Sequence, residues 1–157
     1  MRIVVAESAE QVEFVRTLLK EYALETGLDL SFQDFASEVA NLPGKYSPPE
    51  GRLLLAQSEI EWLGCVGLRK IGDGICEMKR LYVRPQFRES GVGRLLATAV
   101  INAAAKIGYQ AMRLDTLSTM TAAIALYESL GFRRIAPYYH NPYQASVFME
   151  LRLTPAR

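Results

Sequence analysis

Cysteine and histidine are scarce in this chain of 157 residues, which holds two of the first and one of the second. Cys65 and Cys76 are too few for a disulfide scaffold, and neither stands in a CxxC or His-paired spacing. With His140 the lone histidine, a Cys/His zinc site is excluded and no metal is expected. An excess of one charge sign is missing too. Eighteen Lys and Arg against 17 Asp and Glu leave a net charge of +1, and no basic stripe is visible. Nucleic acid and an anionic membrane surface are therefore not expected as partners. The doublets Lys79-Arg80 and Arg133-Arg134 read as solvated faces. No apolar run approaches a membrane span, and the start MRIVVAESAE lacks the apolar stretch of a signal peptide, so the cytoplasm is the expected location.

What is present is a globular composition. Half of the residues are hydrophobic and 22% are charged, and the length suits one compact domain, expected over residues 1–157. Residues 2–6 read as a short strand. Ser8 and Gln11 then form a capping box, and Val12, Val15, Leu19 and Tyr22 follow at helical spacing as far as Gly27. Residues 32–42 look like a second, short helix with Phe32, Phe35 and Val39 on one side. Residues 42–51 hold three prolines and two glycines and read as a loop, either a plain connector or one that shapes access to a site. Three β-like runs follow at 52–56, 62–70 and 75–83, separated by breaks short enough to imply antiparallel hairpins. Residues 92–107 carry an apolar helical face and end at Gly108, a C-terminal cap. A buried strand at 110–115, a helix at 121–130 closed by Gly131, and strands at 133–138 and 146–153 complete the chain. The order β-α-α-β-β-β-α-β-α-β-β predicts an α/β fold with a mixed sheet covered by helices.

The segment that points to chemistry is Arg88-Glu89-Ser90-Gly91-Val92-Gly93-Arg94, between a strand and a helix. Two glycines allow consecutive backbone N–H groups to turn toward one point, and at a helix N-terminus those donors make an anion site. Each dipole contact is worth about 0.3–1 kcal/mol, so several are needed to hold a pyrophosphate. Arg88 and Arg94 can add charge-assisted bonds. A nucleoside triphosphate loop would require Gly-Lys-Ser/Thr, which does not occur here. A dinucleotide fingerprint would require a third glycine where this chain has Leu96.

Arg88-x-x-Gly91-x-Gly93 resembles the Arg/Gln-x-x-Gly-x-Gly/Ala motif of the GNAT N-acetyltransferase superfamily. The strand Glu77-Met78-Lys79-Arg80-Leu81-Tyr82-Val83 before it is similar to the family strand that lends its backbone to a pantetheine arm. Ala123-x-x-x-Tyr127-x-x-x-Gly131-Phe132 is similar to a further family segment. The match extends over about the C-terminal half of the chain, and the first half fits the family's order of elements without a motif of its own. The resemblance implies a GNAT-like acyl-CoA N-acyltransferase fold, with acetyl-CoA as co-substrate in a V-shaped opening between strands ending near Val83 and Asp115. It implies cofactor contacts at Leu81, Tyr82, Val83, Arg88, Glu89, Ser90, Gly91, Val92, Gly93, Arg94, Met120 and Ala123. Met120 is a departure, because the family often has Asn there to bond the pantetheine. A thioether accepts hydrogen bonds poorly, so that contact is absent or supplied by Ser118 or Thr121.

Amide formation needs an uncharged amine, and an alkyl amine titrates near about 10.4, so a base must take its proton at neutral pH. Glu77 stands at the family's frequent base position; the alternative is an ordinary sheet-surface glutamate paired with Lys79 or Arg94. Tyr127, by the resemblance, lies near the sulfur and protonates or hydrogen-bonds the leaving thiolate; the alternative is a helix tyrosine packed on the sheet. A strand N–H near Val83 would polarise the thioester carbonyl. The cluster Tyr138-Tyr139-His140-Asn141-Pro142-Tyr143 is either a turn or the lining of an acceptor pocket, with His140 as an alternative base. Lys79, Arg80 and Arg84 could meet an acidic acceptor. Trp62 and both cysteines read as structural.

Two functions remain open on the sequence. One is an enzyme that acetylates a primary amine, of a small molecule more readily than of a peptide. The other is a module of the same fold that binds acyl-CoA as a sensor or partner surface without turnover. Pairing of the C-terminal strand across a homodimer is also open.

Overall fold

The computed structural model describes residues 1–27 and 34–154. Its elements are β1 (Arg2–Val5), α1 (Ala9–Thr26), α2 (Phe35–Ala40), β2 (Arg52–Gln57), β3 (Trp62–Gly72), β4 (Ile75–Val83), α3 (Val92–Ile107), β5 (Ala111–Leu117), α4 (Thr121–Ser129), β6 (Arg133–Ile135) and β7 (Ser146–Arg152). The strands form one mixed sheet in the order β1-β2-β3-β4-β5-β7-β6, as expected for the α/β fold. The capping box of α1 is formed, with the Gln11 amide bonding Ser8 Oγ at 3.1 Å and Gln11 Oε1 accepting the Ser8 amide at 3.0 Å. Gly27 (φ 61°) and Gly108 (φ 109°) close α1 and α3 in the left-handed conformation, which costs glycine least.

Alternation along the central strands divides the sheet into two faces. Cys76 and Met78 of β4 and Met112 and Leu114 of β5 pack against Leu96, Ala97, Val100 and Ala104 of α3 and Ile124 and Tyr127 of α4. On the other face Leu53, Leu55, Cys65 and Tyr82 meet Val12, Val15, Leu18 and Leu19 of α1 and Val39 of α2. Glu77 and Lys79 of β4, and Arg113 and Asp115 of β5, alternate with the first set and so belong to this second face.

Two irregularities shape the middle of the sheet. β4 and β5 are parallel but pair only at Ile75–Ala111, Cys76–Met112 and Glu77–Arg113, after which they part. β4 also bulges: the register with β3 runs from Gly67–Lys79 to Cys65–Tyr82, so three steps on β4 face two on β3. Arg80 takes φ 61° there, a left-handed conformation that a side chain adopts only under local constraint.

Four expectations change. β6 ends at Ile135, so Tyr138 lies with Tyr139 in the loop 136–145 rather than in a strand. α2 covers only Phe35–Ala40, and Phe32 lies outside the described residues. Gly44–Tyr46 forms a 3-10 turn within the proline-rich loop. Lys79 and Arg80 are 6% and 7% exposed, not on a solvated face, because β4 is central and covered on both sides.

Gly64 of β3 stands beside the bulge, where an added Cβ would lie 2.4 Å from the Tyr82 carbonyl oxygen. Gly64→Ala is expected to cost about 1–3 kcal/mol by overpacking, read as a lower urea midpoint at unchanged slope. A midpoint equal to the parent's would show that β3 and β4 part freely at the bulge.

Candidate active site

Beyond Glu77 and Arg113 the parted strands enclose a cleft of about 700 Å³. One arm is residues 78–83 of β4, the other 114–117 of β5, and Thr119–Ala123, Leu126 and Tyr127 line it from the α4 side. At the mouth lie Arg88, Glu89, Gly91, Gly93 and Arg94. Glu89 (φ 65°) and Gly91 (φ 88°) turn the backbone into the left-handed region just before α3. The first helical bond of α3 runs from Leu95 to Gly91, so the amides of Val92, Gly93 and Arg94 have no partner within the helix. A Cβ at Gly91 would meet nothing within 4 Å. The result is a set of converging donors with open space in front of them, at the positive end of a 16-residue helix.

The second face of the cleft is polar and charge-balanced. Lys79 Nζ lies 3.2 Å from Asp115 Oδ1 and 3.9 Å from Glu77 Oε1. Arg80 pairs with Glu38 of α2 at 2.9 Å and covers the Phe35 ring at 4.8 Å. Arg84 pairs with Glu21, and Arg88 with Glu25, one turn further along α1. The loop 136–145 is fastened by two short bonds: the Tyr138 hydroxyl donates to Glu77 Oε2 and the Tyr139 hydroxyl to Asp115 Oδ2, each at 2.5 Å. Burial and the facing carboxylates push both phenols well above the usual tyrosine range. Among the described residues no group of three or more His, Cys, Asp or Glu could hold a metal, and no helix is long and apolar enough to cross a membrane.

The sequence profile of the acetyltransferase (GNAT) family matches residues 12–132, which include the whole cleft apart from the 136–145 loop. The chain belongs to that family. An uncharacterized N-acetyltransferase of Schizosaccharomyces pombe is 44% identical over 147 residues, covering 92% of this chain and 90% of its own. A Klebsiella pneumoniae structure assigned as an acyl-CoA N-acyltransferase is 30% identical, covers 98% of this chain and 97% of its own, and has a TM-score of 0.71. A Bacillus subtilis acetyltransferase solved with CoA shares the fold, with 22% identity, a TM-score of 0.72 and coverage of 98% and 99%. Membership makes the chain an acyltransferase of a family that draws on acetyl-CoA.

Of the positions that the motif marks for the cofactor, ten line the cleft of this GNAT chain. Leu81, Tyr82, Val83, Arg88, Glu89, Gly91, Gly93, Arg94, Met120 and Ala123 line the cleft, as does Tyr127. Ser90 and Val92 do not: the Ser90 hydroxyl turns to the Phe87 carbonyl and Val92 is 2% exposed in the core, which leaves only their amides for the loop. Arg88 is already engaged, with Nε on the Val83 carbonyl at 2.9 Å and Nη2 on Glu25 at 2.8 Å. Arg94 reaches Ser129 of α4 at 2.8 Å. The Met120 sulfur accepts from Thr116 Oγ1 at 3.3 Å, and Thr119 and Thr121, not Ser118, bring hydroxyls to the cleft wall.

The candidate bases behave differently from expectation. Glu77 is 1% exposed and does not line the cleft. Arg69 holds its Oε1 at 2.8 Å and Tyr138 its Oε2; of the two partners expected for a structural glutamate, Lys79 stands 3.9 Å away and Arg94 reaches Ser129 instead. His140 is exposed and also stands outside the cleft. Three carboxylates do line it, Glu25 of α1, Glu89 of the 88–94 loop and Asp115 of β5, and the sequence marks Asp115 only as a strand end. Its signal was present in the alternation Met112-Arg113-Leu114-Asp115. Tyr22, Asn141 and Tyr143 complete this wall; Tyr22 had been assigned to the apolar stripe of α1.

Cys65 and Cys76 are buried and free, and burial pushes each thiol up to about 12. Neither is expected to react with a disulfide reagent at pH 8 until the chain unfolds, when both react. An unfolded thiol titrates near 9, so stability from these groups is complete below that pH and is lost as pH climbs from about 9 to about 12. Rapid reaction of the native protein would show that the core opens locally around β3 or β4.

Proposed function

We propose that the protein transfers the acetyl group of acetyl-CoA to the primary amine of a small molecule, both bound at once in the cleft. The observation that carries this reading is the juxtaposition in one cleft of a phosphate-type cradle at 88–94 and a polar acceptor face at Lys79, Asp115, Asn141 and Tyr143. Acetyl-CoA supplies the activated thioester. Its pyrophosphate fits the amides of 89–94, and its arm fits the β4 edge that β5 leaves bare. A strand N–H of β4 near Val83 polarises the carbonyl.

Tyr127 is the group offered to the sulfur. Its hydroxyl makes no hydrogen bond among the described residues, and burial raises its pKa above the usual tyrosine range. A free phenol near 10 and a thiol near 8.5 already make full proton transfer uphill by about 2 kcal/mol, and burial widens the gap. Tyr127 therefore stabilises the leaving thiolate by a hydrogen bond.

The acceptor is neither strongly acidic nor strongly basic, because Lys79, Arg80 and Arg84 each have their own carboxylate. Glu77, sealed behind the cleft, holds the wall in place. The two free buried thiols suit a reducing compartment such as the cytoplasm.

Acetyl-CoA at 100 times its dissociation constant is expected to stabilise the protein by about 2.7 kcal/mol, a rise of several degrees in Tm, with NAD and ATP as controls. Incubation with a panel of amines then releases thiol. Tyr127→Phe lowers kcat about 10- to 100-fold with little change in KM for acetyl-CoA. A Tm rise without thiol release from any amine would favour the acyl-CoA sensor, and no rise at all would remove the cofactor from the reading.

A further inference from the structure

The acceptor face holds two carboxylates that a proton-transfer step could use, Glu77 on β4 and Asp115 on β5. They differ in where the fork between the strands leaves them. Glu77 sits on the last paired rung, opposite Arg113. Asp115 is the next residue on the same face of β5, one alternation past the fork, and it borders the cleft. The Glu77 carboxylate is 2% exposed and that of Asp115 9% exposed.

Their partners differ in the same sense. Glu77 is closed on both oxygens, by the Arg69 guanidinium through Nε at 2.9 Å and Nη2 at 2.8 Å, and by Tyr138. Asp115 is held on both oxygens as well, Oδ2 by Tyr139 and Asn141 at 2.5 and 3.3 Å and Oδ1 by Lys79 at 3.2 Å, but Lys79 and Asn141 line the cleft beside it, whereas Arg69 and Tyr138 do not.

We propose that Asp115 is the residue that meets the acceptor amine and takes its proton, with Lys79 as its counter-ion and Glu77 as a positioning residue that fixes Tyr138 and the loop 136–145. The proposal rests on the acetyl-transfer reading above and names the class of acceptor: a small primary amine with no second charge. On the acceptor wall a second positive charge would find Asp115 already paired with Lys79, and a negative one would find Lys79 and Arg80 already paired with Asp115 and Glu38.

The neutral amine attacks the thioester carbon, forming C–N and placing a positive charge on nitrogen. Asp115 takes the proton that this charge makes acidic. The C–S bond breaks, Tyr127 hydrogen-bonds the departing sulfur, and the proton passes from Asp115 to sulfur, giving amide and free thiol. While Asp115 is neutral, the Lys79 ammonium keeps Glu77 at 3.9 Å as a second carboxylate, so the buried charge is never left alone.

Around Asp115 stand Lys79 and Glu77 from β4, Tyr138 and Tyr139 from the loop, Tyr22 from α1 and Tyr127 from α4. All four tyrosines are raised by burial and remain neutral from pH 5 to pH 9, so an acid limb in kcat reports a carboxylate. The structure supplies a way to ask which one, since Tyr138 touches only Glu77 and Tyr139 only Asp115 among the two.

Tyr139→Phe removes a donor from the Asp115 carboxylate and is expected to move the acid limb of kcat to higher pH. Tyr138→Phe is expected to leave the limb in place and to raise KM for the amine. Asp115→Asn lowers kcat/KM for the amine by about 100-fold or more while keeping the parent's Tm rise with acetyl-CoA. Glu77→Gln lowers it less than about 10-fold and keeps the parent's pH profile. An acid limb moved by Tyr138→Phe and not by Tyr139→Phe, or an Asp115→Asn protein as active as the parent, overturns the proposal and leaves acetyl transfer standing. If Asp115→Asn does not fold, the two phenylalanine variants decide. A parent protein that binds no acetyl-CoA overturns the acetyl-transfer reading itself, and this inference with it.

Discussion

The parting of β4 and β5 after three rungs is the constraint on which the rest depends. Parallel neighbours gain from continued pairing, and each backbone group left bare forgoes a net contribution of about 0.5–1.5 kcal/mol. The outer edges hold the arms apart. β5 is paired with β7 along its full length, Ala111–Arg152 to Leu117–Ser146, and β4 is paired with β3 on both sides of its bulge. The bulge adds an extra step to β4 alone, so β4 turns away from a neighbour that stays straight. Below the fork, Cys76 and Met112 are both fully buried against the α3 side and keep the apex closed. The opening is thus a property of the whole sheet, not of the loops around it.

Ion pairs decide how the helices sit over that opening. Glu21 and Glu25 of α1 and Glu38 of α2 bind Arg84, Arg88 and Arg80 of the β4 segment. The pair of Arg88 and Glu25 is about two-fifths exposed, and exposed pairs contribute about 0–1 kcal/mol. Glu25 is held below its usual range by the Arg88 hydrogen bond, so that contact is present at neutral pH and weakens on acidification. The buried pair of Arg80 and Glu38 carries a desolvation cost that its attraction only offsets; what it provides is a fixed place for α2. Apolar packing of α1 through Val15, Leu18 and Leu19 secures the helix body, while its C-terminal turn is tied to the cofactor loop by charge.

Much of this was legible in the sequence, and the unevenness has physical causes. The bounds of β4 and α3 follow from Gly74 and Val83 and from Gly91 and Gly108, because glycine and the change of hydrophobic period mark ends locally. The 88–94 loop was readable for the same reason: two glycines and a helix start are local features. The fork, the bulge at Arg80 and the burial of Lys79 are not local. Nothing in Lys79-Arg80 tells that Asp115 and Glu38, 36 and 42 positions away, neutralise them, and a basic doublet then reads as surface. The run from Arg133 suits a strand as far as Tyr138; the long-range bond of Tyr138 to Glu77 overrides that propensity. The alternation of residues 112–115 sets Asp115 on the polar face of β5, but a single acid in an apolar strand gains its meaning only when the strand beside it departs.

One alternation of side chains organises the whole site. On β4 and β5 the residues facing α3 and α4 are apolar, and there the cleft offers Leu81, Val83, Leu126 and Ala123, surfaces suited to the uncharged arm of a thioester. The residues facing α1 and α2 are Lys79, Arg80 and Asp115, suited to a polar acceptor. On the proposed reading, donor and acceptor approach from opposite faces of the sheet and meet only where the strands part, because elsewhere the paired backbone separates them. A slip of one residue in either strand would exchange its faces, placing charge against the α3 core and apolar groups against the acceptor. The three rungs that remain between β4 and β5 fix that register, so they govern the chemistry although none of them touches a substrate.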